Sequence, residues 1–430
     1  MSEAAGTVRT FRWLPPGLRP PEALDRRQER VFLLVGAAAL FAGYDMNVFG
    51  LAIPQIQQSL AIPENQVGLT VAYFRLAAIA ALLLAAFADL VGRRTLLVFT
   101  IAGQALFTLL TAFAGDYAQF VWAQVFTRIF GYAEEMLCLV VIAEEVSKRA
   151  RGWATGTLSA FNYVGAGLAA VVFIAVEILP YGWRSMYVIG ALPLIVVAVL
   201  RRNLPETRRF EALDLQPHRK RPMEIAGLIV AVARAYPGRL AAILTAAMAF
   251  GFAVSPASVL SSKYLQDVHG YSPGEVSAVL IPGGLVGLAL AILAGRLSDR
   301  IGRRPMTSLI VIVATAGFAL FYSGMTGPLL PLLWVLAFFG FFAGEALIAG
   351  FALEILPTEY RATVSGLRYL FSVGAGAFAL ALEGVLYDLL GGHGPAISAM
   401  LLAAPIVLLM LWLLPEPAGR SLEEMTGGPA

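Results

Sequence analysis

The strongest constraint on this chain is its series of long apolar runs. Examples are residues 31–53, 96–114, 306–323 and 396–414, and we count twelve such runs. A helix that crosses a bilayer needs about 20 mostly apolar residues. Only 14% of the residues are charged, whereas soluble globular chains carry roughly 25%. The chain is therefore predicted to be an all-α membrane protein with twelve transmembrane helices.

Lysine and arginine are distributed unevenly among the segments that connect these runs. They cluster at 93–94, 148–151, 201–239, 296–304 and 361, whereas the alternate segments carry few, with Arg184 and Lys263 as the exceptions. Positively charged loops stay on the cytoplasmic side of a membrane. We therefore expect a multi-pass protein of the plasma (inner) membrane with both termini in the cytoplasm. The basic clusters give no reason to expect a nucleic-acid partner.

The signals for a cofactor, a metal or catalysis are weak. Gly165, Gly167 and Ala170 match a nucleotide-binding pattern, but they lie within an apolar run and no strand precedes them, so helix packing explains them better. The three histidines lack metal-ligand spacing; they are His218, His269 and His393. No nucleophile has an evident base. We expect no cofactor, no metal and no enzymatic activity.

An internal repeat with an offset of 210 residues is the second constraint. It relates four pairs of positions, Asp89 and Asp299, Glu135 and Glu345, Glu144 and Glu354, and Arg151 and Arg361. The repeat predicts two pseudo-symmetric six-helix bundles, at residues 30–201 and 238–414. A cytoplasmic linker with a surface helix, 202–237, joins them, and cytoplasmic tails at 1–29 and 415–430 flank them. Duplicated bundles of this kind are typical of transporters.

Several motifs resemble those of a known family. Residues 295–304 resemble the cytoplasmic signature loop of the major facilitator superfamily, and residues 85–94 resemble its first-half copy. Residues 41–45 are similar to the first-span motif of the sugar-porter, metabolite:proton and aromatic-acid:proton symporter branches, and 415–424 resemble the sugar-porter tail. The resemblance implies the major facilitator fold and transport by alternating access.

The charged residues of the two signature loops are predicted to form a cytoplasmic gate. A carboxylate there can lie at the positive N-terminus of a facing helix, and the arginines can pair with Glu144 or Glu145 and with Glu354. The predicted gate residues are Asp89, Arg93, Arg94, Glu144, Arg151, Asp299, Arg303, Arg304, Glu354 and Arg361. The alternative is that these arginines only orient the chain and contact lipid headgroups.

Ionisable side chains at membrane depth cost about 2.5 to 3.5 kcal/mol to insert, so they are candidates for function. Counting helix rise from the ends of the runs predicts that Asp45, Arg75 and Arg128 share one layer. The resemblance to sugar porters implies that Asp45 and Arg128 separate and rejoin as a proton binds and leaves. A permanent ion pair is the alternative. Glu135 and Glu134 are further candidates for proton coupling, and a rotation of about 100° between them predicts different roles.

The same layer is predicted to contain the solute cavity. Arg75 could bind an anionic group of the solute or could be a second partner for Asp45. The predicted solute-binding residues are Arg75, Tyr44, Tyr73, Tyr132, Asn162, Phe252, Ser255, Phe338, Phe342 and Tyr369.

Together these observations predict a monomeric secondary active transporter. We expect a proton-coupled symporter whose partners are a small organic solute such as a carboxylate, protons and membrane lipid. An exporter that exchanges protons for hydrophobic compounds is one alternative, favoured by the aromatic content. A non-transporting membrane receptor on a transporter scaffold is another, and the intact signature loops in both halves argue against it.

Overall fold

The computed structural model describes residues 19–147, 149–202, 204, 206, 222–357 and 359–417, but not the side chains of 89, 90, 222–226 and 362. Its first half forms α1 (Arg26–Leu51), α2 (Ile53–Leu60), α3 (Glu64–Ala86), α4 (Ala88–Val91), α5 (Arg93–Ala112), α6 (Tyr117–Glu145), α7 (Arg151–Phe173) and α8 (Trp183–Arg201). Its second half forms α9 (Pro222–Ala235), α10 (Pro237–Val259), α11 (Ser261–Asp267), α12 (Pro273–Ile301), α13 (Arg303–Phe321), α14 (Leu329–Glu354), α15 (Arg361–Leu390), α16 (His393–Leu401) and α17 (Ala404–Leu413).

Within this described part, eleven helices or helix pairs are long and apolar enough to cross a membrane. They are α1, α3, α5, α7, α8, the pair α10 and α11, the helices α12 to α15, and the pair α16 and α17. Helix α6 is a further long helix of 29 residues, about 43 Å at 1.5 Å per residue. It carries Arg128, Glu134 and Glu135 along its length. With α6 included, the prediction of an all-α protein with twelve spans is confirmed.

The helices divide into two compact units. Unit 1 comprises Met1–Leu60 and Ala77–His218, and unit 2 comprises Ala61–Leu76 and Arg219–Ala430, as far as they are described. The division falls inside α3. The sequence placed all of 30–201 in the first bundle, whereas the first half of α3 packs with unit 2.

The same pairs of helices pack together inside each unit. In unit 1, α1 packs on α7 and α8, and α5 packs on α6 and α8. In unit 2, α10 packs on α15 and α17, and α13 packs on α14 and α17. Counted as spans along the chain, these are the same neighbours in both units. The 210-residue repeat in the sequence is therefore also a repeat of internal packing.

Close contact between α1 and α7 depends on a glycine. A Cβ atom added at Gly165 would lie 1.8 Å from the carbonyl oxygen of Leu40, so a larger residue cannot fit without moving a backbone. Gly167, two residues later, faces open space. Gly165 thus supports the helix-packing interpretation of this glycine pair, and Gly167 does not contribute to it.

Helix α9 occupies the second part of the predicted linker. Its Val232 is fully buried in a hydrophobic cluster with Leu240, Phe351 and Val364. The helix therefore packs on the end of unit 2 through an apolar side chain. The charged stretch predicted at 208–221 lies outside the described residues.

Candidate functional site

Asp45 and Arg128 form a charged cluster in the interior of unit 1. Asp45 lies on α1 and is completely buried, and its Oδ1 accepts a hydrogen bond of 3.1 Å from Thr108 Oγ1 on α5. The positive charge of Arg128 on α6 acts on the carboxylate. Arg128 also donates to Met46 Sδ and, at 3.3 Å, to Gln124 Oε1. Three helices thus position one carboxyl group beside one guanidinium.

The hydrogen bonding of this cluster is incomplete. Among the described residues, Asp45 Oδ2 has no hydrogen-bond partner, and neither do the amide nitrogen and oxygen of Gln104, whose side chain lies beside Asp45. A buried polar atom left without a partner costs about 1–3 kcal/mol. A bound proton, or a donor that moves closer, would therefore satisfy the Asp45 carboxyl group better than this arrangement does.

Glu134 is held quite differently. Its Oε1 accepts a hydrogen bond from Arg201 at the end of α8, and its Oε2 accepts one of 2.6 Å from Thr100. Arg201 also donates to the Leu34 carbonyl at 3.2 Å, and the Cys138 thiol donates to Glu134 at 3.1 Å. Glu134 belongs to a buried ion pair in which both of its carboxylate oxygens accept hydrogen bonds.

Glu135, one residue later, lines a small cavity that Glu134 also borders. The cavity has a volume of about 50 Å³ and is enclosed by α1, α6 and α7. Polar groups of Ser159 and Asn162 share it with Glu135, beside Leu158 and Ala38. Both glutamates border this cavity, and they differ in that Glu134 also pairs with Arg201.

Unit 2 carries an ion pair at the position that repeats Glu135. Glu345, 210 residues later on α14, accepts hydrogen bonds from Arg368 at 3.1 Å and from Ser372 at 3.2 Å. Arg368 and Ser372 correspond in the repeat to Leu158 and Asn162. The carboxylate has a guanidinium partner in unit 2, and a leucine stands at the matching position in unit 1.

Arg75 groups with unit 2. Its Nη1 donates a hydrogen bond of 2.9 Å to Ser255 Oγ on α10, and Ser255 is buried while Arg75 is half-buried. Two of the predicted solute-binding residues are thereby brought together.

The aromatic candidates for solute binding have mixed surroundings. Tyr44 is buried, and its hydroxyl donates to the Met186 carbonyl at 2.9 Å, so it fills the core of unit 1. Phe338 stacks on Trp334 with ring centroids 4.1 Å apart, and Phe342 joins the same aromatic cluster. These three side chains pack within their units and do not line the cavity beside Glu135. Four other candidates remain at least partly accessible, namely Tyr73, Tyr132, Phe252 and Tyr369.

The signature loops form matching ion pairs in the two units. Arg93 pairs with Glu144 at 3.3 Å in unit 1. In unit 2 Arg303 donates from Nε at 2.9 and 3.0 Å and from Nη2 at 2.7 Å to the carboxylate of Glu354. Glu145, the other predicted partner, pairs with Arg27 at 3.2 Å.

The prediction that Asp299 lies at the N-terminus of a facing helix is wrong for this structure. Asp299 pairs with Arg303 on the adjoining helix at 2.7 Å and is largely exposed, while the side chain of Asp89 lies outside the described part. Glu416 lies at the N-terminus of α13. It accepts hydrogen bonds from the backbone N–H groups of Arg303 at 2.7 Å and of Arg304 at 2.9 Å. A carboxylate is stable there because the first N–H groups of a helix lack intrahelical partners.

The first repeat has the same N-terminal arrangement. Glu206 accepts from the backbone N–H of Arg94 at 3.1 Å, as Glu416 does from Arg304. Gly92 and Gly302 precede the two helices with φ of 102° and 112°, a region that favours glycine. The side chains of Arg94 and Arg304 do not pair with Glu144 or Glu354, their predicted partners, in this structure. Their side chains donate to the carbonyls of residues 202 and 414.

Arg151 and Arg361, the remaining gate candidates, begin α7 and α15 at equivalent positions. Arg361 Nε donates to the Leu356 carbonyl at 3.4 Å.

Comparison with known proteins identifies the family. Residues 35–380 match the Major Facilitator Superfamily, which covers well over half of the chain. The chain belongs to the Major Facilitator Superfamily. It is accordingly a multi-pass membrane transporter and not an enzyme.

Two curated relatives and one solved structure match this chain over most of its length. A probable 4-methylmuconolactone transporter of Cupriavidus pinatubonensis is 27% identical, with 93% of each chain covered. A citrate-proton symporter of Salmonella typhi is 26% identical over 83% of this chain and 84% of its own. The crystal structure of a D-xylose-proton symporter superposes with a TM-score of 0.73 at 19% identity, over 91% of this chain and 99% of its own.

Two groups of charged residues in this superfamily member were not predicted from its sequence. Arg201 was counted with the cytoplasmic basic cluster, although it continues the buried face formed by Tyr187, Gly190, Leu194 and Val197. The three- and four-residue spacing of that face was the signal. The second group is Glu383 on α15, His393 on α16 and Glu64 on α3. Glu383 lies in a long apolar run, which by itself marks a charged residue for attention.

Proposed function

We propose that this transporter is a proton-coupled symporter that takes up a small organic acid across the plasma membrane. One observation carries the coupling proposal, namely the incompletely bonded, wholly buried Asp45 beside Arg128. A buried carboxylate favours the neutral form, and a nearby guanidinium favours the charged form. Movement of Arg128 between conformational states would therefore make Asp45 bind and release a proton.

Arg75 supports an acid as the solute. It provides a half-buried guanidinium whose Nη1 is oriented by Ser255, and arginine recognises carboxylates through paired N–H groups. Relatives along nearly the whole chain are named as transporters of 4-methylmuconolactone and of citrate with protons. Glu135, in its cavity with Ser159 and Asn162, is the second candidate for proton binding.

The positive loops support an orientation with both termini in the cytoplasm. The ion pairs Arg93–Glu144 and Arg303–Glu354 then lie on the cytoplasmic side. These pairs would close that side in one state and separate in the other. The aromatic residues that favoured an exporter pack in part against one another, as Phe338 and Trp334 do.

The test uses purified protein in liposomes with an imposed pH gradient, and citrate, muconolactones and aromatic acids as solutes. Wild type should accumulate its solute when the outside is acidic. Asp45→Asn imitates the protonated carboxyl group, so it should lose uphill uptake but retain exchange of internal for external solute. Glu177→Gln alters an exposed acid between α7 and α8 and serves as the control. Uphill uptake by Asp45→Asn would transfer the coupling role to Glu135. Accumulation of solute in acid-loaded vesicles, as protons leave, would indicate an exporter that exchanges protons for solute.

A further inference from the structure

His393 lies between two carboxylates in unit 2. Its Nδ1 is 2.6 Å from Oε1 of Glu383, and its Nε2 is 3.2 Å from Oε2 of Glu64. Glu383 is completely buried and His393 mostly so, while Glu64 is partly accessible. The three residues come from α15, α16 and α3, at the end of these helices opposite the signature loops.

This arrangement implies a bound proton. A neutral imidazole has one N–H donor and one nitrogen lone pair, and an ionised carboxylate only accepts. If both glutamates were ionised and His393 neutral, one contact would bring two lone pairs together at hydrogen-bond distance. Both contacts become hydrogen bonds when one further proton is present, either on the second ring nitrogen or on a carboxyl group. Among the described residues Glu383 Oε2 has no hydrogen-bond partner, so this buried carboxyl group depends on its contact with His393 for hydrogen bonding.

The surrounding charges also favour an additional proton. Lys263 of α11 contacts Glu64 at 3.1 Å and also pairs with Asp267. Its positive charge opposes protonation of His393, whereas Glu383 and Glu64 favour it. With a neutral imidazole, the three carboxylates and the one lysine leave two net negative charges in a largely buried cluster, and one proton halves this excess.

Three uncharged tyrosines also lie around the cluster, and Asp388 of α15 accepts a hydrogen bond of 2.8 Å from Asn65, the residue after Glu64. The ring of Tyr387 on α15 lies 4.5 Å from that of His393, centroid to centroid. Tyr322, after α13, lies near Glu383 and Tyr264 of α11. They add no charge that could replace the proton.

The start of α3 lies very close to α15 at this cluster. A Cβ atom at Gly68 would lie 2.2 Å from the Leu380 carbonyl oxygen and 3.0 Å from Glu383 Oε2. A Cβ atom at Gly384 would lie 1.9 Å from the Asn65 carbonyl oxygen. A contact this close places the start of α3 directly over the buried carboxyl group.

We propose that Glu64, Glu383 and His393 form a proton-binding site that holds the first turns of α3 against α11, α15 and α16. Loss of the proton to water removes one N–H or O–H donor and leaves an unsatisfied lone-pair contact, so the start of α3 separates from the other helices. The site is distinct from Asp45 and needs no solute. In the proposed membrane orientation it faces the outside, where it responds to external pH.

The test is hydrogen–deuterium exchange of the full-length protein in detergent, without solute. Exchange is measured from about pH 5.5 to about pH 9, a range that includes the titration of ordinary histidine. Protection of residues 64–71 is corrected for the intrinsic pH dependence of exchange. As the pH rises and the local contact opens, this protection should fall by about tenfold or more. Protection that does not change with pH would overturn the proposal.

Three variants assign the response to these residues. Glu383→Gln keeps the shape and supplies a permanent N–H donor to His393, so residues 64–71 should stay protected throughout. His393→Asn should be unprotected throughout, and a pH response that persists in it would overturn the proposal. His269→Asn changes a histidine outside the site and should behave as wild type. Asp45→Asn should also keep the response, so this result is independent of proton-coupled uptake.

Discussion

Arg201 pairs with Glu134 in the interior of unit 1, where both side chains are almost completely enclosed. Thr100 and Cys138 supply further hydrogen bonds to the same carboxylate. Removing one member of a buried ion pair costs about 3–5 kcal/mol, because the other charge remains buried without its partner. Glu134 is therefore suited to holding α6 against α8, and less suited to binding and releasing protons.

We expect Glu134→Gln and Arg201→Met each to lower the thermal unfolding temperature of the detergent-solubilised protein strongly. The double variant should recover part of the loss, because no uncompensated charge remains. Glu135→Gln, one residue along the same helix, is the control and should be mild. If Glu134→Gln is as stable as wild type but no longer couples uptake to protons, Glu134 has the coupling role.

The gate prediction concerns the two acids that hold Arg303. Glu354 accepts hydrogen bonds from two nitrogens of Arg303 and is only 33% exposed, whereas Asp299 is 59% exposed. Hydrogen bonds to charged groups contribute about 1.5–3 kcal/mol, and exposed pairs about 0–1 kcal/mol. Glu354→Gln should therefore shift the balance between conformational states by about tenfold or more, and Asp299→Asn much less.

The readouts for the gate are the rate of solute exchange across liposomes and the affinity for solute from thermal-shift titration. Glu354→Gln should change the exchange rate and leave the affinity nearly unchanged. Glu144→Gln, the equivalent change in unit 1, should behave in the same way. An equal loss of affinity and rate would show that the gate and the solute site are not separate.

The solute prediction concerns Arg75 and Ser255. Arg75→Gln should weaken binding of an organic acid by about 1.5–3 kcal/mol, the contribution of a charged hydrogen bond. Ser255→Ala should cost less, about 0.5–1.5 kcal/mol, because it removes only the hydrogen bond that orients Arg75. Arg184→Gln, which alters an arginine in the first turn of α8, is the control for net charge. Unchanged affinity in Arg75→Gln would make this arginine structural.

The sequence predicted those contacts that follow from the repeat. Arg93 with Glu144 and Arg303 with Glu354 lie at equal offsets, so one pair predicts the other. Apolar length accounts for eleven of the twelve predicted spans, and α6, which carries charged residues along its length, is the twelfth. The helix-terminal role of Glu416 could not be predicted, because it depends on where the chain returns after α17.

Contacts between residues far apart in the chain could not be predicted from the sequence either. His393 and Glu64 are separated by 329 positions, and no local pattern joins them. Arg201 and Arg202 are adjacent basic residues, yet a rotation of about 100° per residue turns Arg201 towards Glu134. Helix rotation and tertiary packing, which composition does not encode, decide these positions.

The buried ion pair of unit 1 also has a practical consequence. The chain contains one cysteine, and its thiol is enclosed beside Glu134. Labelling reagents attack accessible thiolates, so Cys138 should remain unmodified in the folded protein. Spin labels or fluorophores can then be attached to introduced cysteines without first replacing the natural one, which opens helix movements to distance measurements in a lipid bilayer.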